Sequence, residues 1–94
     1  MTQRIELTFP KDLSKLAGNV FGRNTYLQQV KNVIDLSKNI AFVFPTEIDR
    51  MASSFVQGFF DEIVNEIGIS GVEEQIDFES SIPNLKDFVL ENLE

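Results

Sequence analysis

The chain has 94 residues, with 15 acids against 8 bases and no cysteine, histidine or tryptophan. That composition excludes disulfides, thiol nucleophiles, thiolate clusters, imidazole bases and His-ligated zinc or haem. The length is that of one domain with one modest core, and nine Phe in a chain that is 43% hydrophobic argue against disorder.

The net charge of −7 is unevenly placed. Residues 1–46 carry six bases and three acids, for +3, whereas residues 47–94 carry two bases and twelve acids, for −10. The bases are too dispersed for the contiguous footprint that nucleic acid requires, although the first half has enough charge for a weak basic face. The acidic half reads as a solubilising surface or as a docking face for a basic partner. The opening "MTQRIEL" has no signal-peptide core, and no stretch approaches the roughly 20 apolar residues of a membrane span. A soluble cytoplasmic domain with neither membrane nor nucleic acid as partner is the expectation.

Ile5, Leu7 and Phe9 alternate with polar residues up to Pro10, the period of a half-buried strand. Lys11 to Gly22 holds two glycines and reads as a loop, with a short helical turn at Leu13 and Leu16 and a short strand at Val20–Phe21. A helix is expected from Asn24 or Thr25 to Asn39. Thr25 and Gln28 have the capping-box spacing, and Leu27, Val30 and Ile34 form the stripe, flanked by Tyr26 and Val33. Ile40 to Phe44 is an unbroken apolar run ending at Pro45, the pattern of a central strand covered on both faces.

After a loop from Thr46 to Ala52, Ser53-Ser54 opens the strongest helical pattern, with a second capping-box spacing between Ser54 and Gln57. Phe55, Phe59, Ile63 and Ile67 lie beside a row of Val56, Phe60 and Val64, and Gly68 stands at the expected stop. Gly58 disfavours that helix by up to about 1 kcal/mol, which a close approach to the sheet would explain. Gln75 to Phe78 is a short strand with Ile76 and Phe78 inward. Ser80 or Ser81 then caps a last helix with Pro83 in its first turn and Leu85, Phe88, Val89 and Leu93 on its apolar face. The alternation predicts one α/β domain over residues 1–94. It should hold a mostly parallel or mixed sheet of three to four strands and about three helices in β-α-β-α-β-α order.

Little catalytic chemistry is on offer. Glu73, Glu74, Asp77 and Glu79 form the densest carboxylate cluster, but their spacing is not that of a calcium loop and reads as a wet strand face. Gly18 to Gly22 lacks the lysine and hydroxyl residue of a phosphate loop. Arg23, Asn24 and Thr25 place a guanidinium and free amides at an expected helix start, where an anion would sit. Ser53 and Ser54 are N-cap candidates, and a phosphate on either would meet the positive end of the helix dipole. No catalytic residue, metal site or cofactor is expected.

The strand "IAFVF", a short loop and "MASSFVQGFFDEIVNEIG" together resemble the strand–loop–helix of STAS domains, which occur in sulphate transporters and anti-sigma-factor antagonists. The likeness is closer to the bacterial STAS-like domains of unknown function, whose Arg-bearing turn is matched by "FGRNTYL" and whose Ser-Ser-Phe helix start is matched by "SSF". It spans roughly residues 20–78. Val43 departs from the acidic residue that the family carries there, and Ala52-Ser53-Ser54-Phe55 departs from the Asp-Ser-Ser-Gly of true antagonists.

The resemblance implies a non-enzymatic regulatory module whose protein partner is an ATPase or kinase-like regulator, with Ser54, and Ser53 beside it, as phosphorylation candidates. The partner-binding residues would be Thr46, Glu47, Asp49, Arg50, Ser53 and Ser54, and self-association into a homo-oligomer is a further partnership it allows. The alternative is a small acidic inhibitor or decoy, of phage or mobile-element type, that occupies a basic surface.

Overall fold

The first alternating run forms β1, Thr2–Glu6, in a computed structural model that describes residues 2–94. The apolar run forms β3, Asn39–Val43, and the late alternating run forms β5, Ile76–Glu79. These three strands make one parallel sheet in the order β1-β3-β5. A second, two-residue parallel pair joins β2, Lys15–Leu16, to β4, Arg50–Met51. The chain is thus a small α/β domain with three helices, as its alternation predicts.

A sheet that grows in one direction through right-handed crossovers carries its connecting helices on one face only. Burial follows that rule. Ile40, Phe42 and Phe44 face the helices and are at most 4% exposed, with Ile5, Leu7 and Ile76 beside them. Phe42 sits at the centre, with edge-to-face contacts to Phe59 at 5.2 Å and Phe60 at 6.0 Å between ring centroids. The opposite face carries Arg4, Glu6, Asp77 and Glu79, all exposed.

This corrects the expectation that both faces of β3 are covered by packed layers. On the open face Ala41 is buried and Val43 half-buried, because an ion pair from Arg4 on β1 to Glu79 on β5 reaches across β3 above them. The aliphatic stem of an arginine shields apolar surface that no helix covers.

The first helix differs most from the sequence reading. Helix α1 spans Asn19–Thr25 and continues as one π turn, Tyr26–Val30. Val20 and Phe21 are therefore helical, not a strand, and Leu16 belongs to β2, not to a helical turn. Thr25 caps nothing. It is buried, and its hydroxyl donates to the Phe21 carbonyl one turn back, at 2.8 Å. The wide turn closes with Lys31 N–H donating to Tyr26 O at 2.9 Å. Because the helix starts about five residues early and ends at Val30, its buried stripe rotates. Tyr26 and Val30 point inward, while Leu27 and Val33 face solvent. Asn39, the expected helix stop, is the first residue of β3.

Helix α2, Ser53–Gln75, buries Phe55, Val56, Phe59, Phe60 and Ile63 as its pattern predicts. Gly68 takes φ 72°, which kinks the helix, and the chain resumes helical geometry to Gln75 rather than stopping. The N-cap is Ala52 without a side-chain bond, so the expected capping by Ser54 is absent. Helix α3, Leu85–Leu93, starts at Asn84 in the left-handed region. Ser80, Ser81 and Pro83 all precede it. Ser80 Oγ accepts from Ile82 N–H at 3.0 Å, and Ser81 Oγ donates to Thr46 O at 3.0 Å.

Helices α1 and α2 cross backbone to backbone. A Cβ on Gly22 would lie 2.3 Å from the Phe55 carbonyl oxygen, and one on Gly58 would lie 2.1 Å from that of Asn19. Gly58 is therefore explained by a close approach to another helix, not to the sheet. Among the described residues no helix is long and apolar enough to cross a membrane.

Candidate functional site

In parallel α/β sheets the loops that follow the strands' carboxyl ends gather at one edge, where ligands and partners are usually met. Here three connections reach that edge, residues 80–84 after β5 among them, and the other two are tied into an apex. Residues 7–18 lead from β1 to α1, and residues 44–52 lead from β3 to α2. The β2–β4 pair ties them together. Asp49 N–H donates to Ser14 O at 2.9 Å, and Ala52 N–H donates to Leu16 O at 2.8 Å. Leu16 and Ile48 are buried beneath the apex and anchor it to the core. Such a platform holds its exposed side chains on rigid backbone.

Thr46, Glu47, Asp49, Arg50 and Ser53 are all exposed on this apex, so the fold brings five of the six expected partner-binding residues to one surface. Thr46 Oγ1 donates to Glu47 Oε1 at 3.1 Å. Ser54 is the exception. It is half-buried, and its hydroxyl accepts the Gly18 N–H at 2.9 Å, which joins the start of α2 to the start of α1. The accessible hydroxyl of the pair is that of Ser53.

Lys15 was not among the expected site residues, yet β2 places it beside Arg50, and both are exposed. A two-residue strand leaves no periodicity by which to find such a neighbour.

Arg23, Asn24 and Thr25 do not form a helix start. They occupy the last turn of α1, where free amides have run out, Thr25 is buried, and Arg23 pairs with Asp61 of α2 at 3.3 Å. The acidic cluster is likewise divided. Glu73 and Glu74 end α2, whereas Asp77 and Glu79 lie on the open face of β5, in contact with Lys86 and Arg4. Among the described residues no three potential ligands converge on a cation position.

Three of the six bases of the first half pair across to the acidic half. Arg4, Arg23 and Lys31 reach Glu79, Asp61 and Glu62 of the acidic half. The titrations that the fold displaces lie away from the apex. Burial, followed by the charges of Glu62 and Glu66, raises the Tyr26 phenol above its ordinary range. Hydrogen bonds from the Ser37 hydroxyl and amide hold the Asp35 carboxyl below its ordinary range. A cleft of about 290 Å³ lies between α2 and the end of α3, lined by Gln57, Phe60, Val64 and Leu93 among others, and begins one helical turn beyond Ser53.

Comparison with family models, curated proteins and solved structures finds no match to this chain.

Proposed function

We propose that the chain is a non-enzymatic regulatory module of the STAS-like type that binds a protein partner through its apex. The observation that supports this reading is the exposed set of Thr46, Glu47, Asp49, Arg50 and Ser53, held on a platform anchored by buried Leu16 and Ile48. Mixed charge on rigid backbone suits selective protein recognition. The Ser-Ser-Phe helix start adds a means of regulation. A phosphate on Ser53 would stand in the first turn of α2, on the positive end of its dipole, beside an apex that already carries Glu47 and Asp49. A phosphate on Ser54 would first have to displace the Gly18 amide.

The test is purification of the tagged chain from its own host, with mass spectrometry of both the chain and whatever co-purifies. The expected result is a partner retained by the wild type and lost by Arg50→Glu, with retention changed by Ser53→Asp. If both variants hold every partner as the wild type does, the apex reading fails.

The decoy reading draws support from Glu66, Glu73 and Glu74, which are exposed on the second half of α2 and take no part in the ion pairs among the described residues. It predicts binding that collapses with added salt, because exposed charges are screened within about 10 Å at 0.1 M. It also predicts binding that survives Arg50→Glu.

A further inference from the structure

The two edges of the three-stranded sheet are finished differently. The bond from Leu7 N–H to Val43 O at 2.9 Å sets the phase of the ladder at β1. Alternate residues of a strand bond to opposite sides, so Ile5 and Leu7 turn to β3 while Arg4 and Glu6 direct their amides and carbonyls outward. Past Glu6 a side chain closes the edge. Thr8 N–H donates to Gln29 Oε1, and Gln29 Nε2 donates back to Thr8 O, both at 2.8 Å.

The β5 edge is crossed at its middle. Asp77 faces the open side, whereas Lys86 belongs to α3, which packs into the core on the helix side. The Lys86 ammonium nevertheless reaches Asp77 at 3.0 Å. With β3 on the inner flank, that side chain passes round the outer edge of β5. A lysine laid over an edge strand is a defence against strand addition.

Charge on the open face is also unequal. Arg4 pairs with Glu79, and Asp77 with Lys86. Glu6 is exposed on the outermost strand and, among the described residues, takes part in no ion pair.

We propose that β1 pairs antiparallel with β1 of a second copy about a two-fold axis at Ile5, which sets Glu6 of each copy opposite Arg4 of the other. Arg4 and Glu6 are the residues whose backbone groups are open, so the new main-chain bonds join the same residues whose charges meet. The Arg4 guanidinium has further donors besides the one bonded to Glu79, and these face a second carboxylate arriving from the outer side.

The register follows from the same two residues. Sliding one copy one way sets Arg4 against Arg4. Sliding it the other way sets Glu6 against Glu6 and drives Arg4 onto the occupied Thr8. Like charges directly opposite destabilise a strand pair. The same operation on β5 sets acid against acid in every register: Asp77 meets Glu79, Asp77 meets Asp77, or Glu79 meets Glu79.

The helix side adds apolar contact. Val33 is 55% exposed, and its carbonyl accepts from Gln3 Nε2 at 2.6 Å, which holds it near the start of β1. Leu27 is 37% exposed and stands just before Gln29, which is bonded past the end of β1. The two-fold lays the start of one β1 beside the end of the other. Each Val33 is thereby brought toward its partner's Leu27, and both shed water. The two apexes point to opposite ends of the joined sheet and stay uncovered, so the proposal stands or falls separately from the function proposed above.

The test is sedimentation of the full chain, with amide spectra of the ¹⁵N-labelled chain over the same concentrations. The expected result is a dimer that grows no further, with shifts and slowed hydrogen exchange at Arg4 and Glu6 as it forms. Glu6→Lys leaves the Arg4–Glu79 pair in place and sets like charges opposite each other twice, so it should weaken the dimer about tenfold or more. Arg4→Glu should do the same. An equimolar mixture of the two variants, each checked by its melting transition to be folded, should dimerise again, because opposite charges then meet at both positions. If either variant is unfolded, the position of the wild-type shifts decides. A chain that stays monomeric up to about 1 mM, shifts centred on the apex or β5, undiminished pairing of Glu6→Lys, a mixture that stays monomeric, or growth past the dimer would overturn the proposal.

Discussion

The two faces of the sheet are made by the same strands and held together by different physics. On the helix side, Phe42 is fully buried and meets Phe59, Phe60 and Phe78 ring against ring. On the open side, Ala41 and Val43 of the same strand lie under one exposed ion pair. Packing of aromatic rings is worth several kcal/mol per side chain, whereas an exposed pair contributes about 0–1 kcal/mol. The difference teaches that nearly all of the fold's stability resides between the sheet and the helices. The open face is thereby left free to vary.

The largest test of that contrast is Phe42→Ala. It should lower unfolding free energy by about 4 kcal/mol in a denaturant titration, enough to threaten a domain of this size. Gly58→Ala comes next, with an expected loss of about 2–3 kcal/mol. Alanine's helix preference favours the change by at most about 1 kcal/mol, but its methyl must push the Asn19 carbonyl away from 2.1 Å. An unchanged or raised melting temperature would mean that the α1–α2 seam is looser than it looks.

On the open face, Glu79→Gln should cost less than about 1 kcal/mol, and the wild-type melting temperature should move little between low and moderate salt. A loss comparable to that of Phe42→Ala would erase the distinction between the faces.

The smallest effects lie at the extremes of pH. Tyr26 titrates above its ordinary range because the fold disfavours the phenolate. Its contribution is therefore complete below pH 10.0 and is lost as pH rises beyond it. Asp35 has the opposite sign. Its lowered pKa favours the folded state above the ordinary aspartate range, and the benefit disappears as pH falls through the folded value. Tyr26→Phe should flatten the alkaline limb of a stability–pH curve, and Asp35→Asn the acid limb.

The strands and α2 were legible because their signals are local. Period two marks β1 and β5, an apolar run marks β3, and rows of aromatic residues mark the buried face of α2. The start of α1 was not legible. Gly18 and Gly22 resemble loop residues until α2 is seen lying against Gly22, a contact 33 to 37 residues distant in sequence. The caps failed for a related reason. Ser54, Ser81 and Thr25 have the right chemistry for capping, but the first two bond distant backbone groups and the third bonds back into its own helix.

Of the candidate site, the run from Thr46 to Ser53 could be read as a loop before a helix. Its union with Lys15 could not, because only the β2–β4 bridge makes it. The division of charge between the halves was plain in the sequence, but the ion pairs that interleave them depend on the crossing of α1 over α2 for Arg23 and Lys31 and on the sheet register for Arg4.

The Gln29 side chain at Thr8 has a consequence for assembly. A protein with two open sheet edges can add copies of itself without end, each new edge recruiting the next. Here one amide group closes the β1 side at Thr8, just past the strand's end, and leaves the outward backbone groups of Arg4 and Glu6 open. The plug therefore limits how far along β1 a further strand could pair, and sets the length of the open edge rather than closing it.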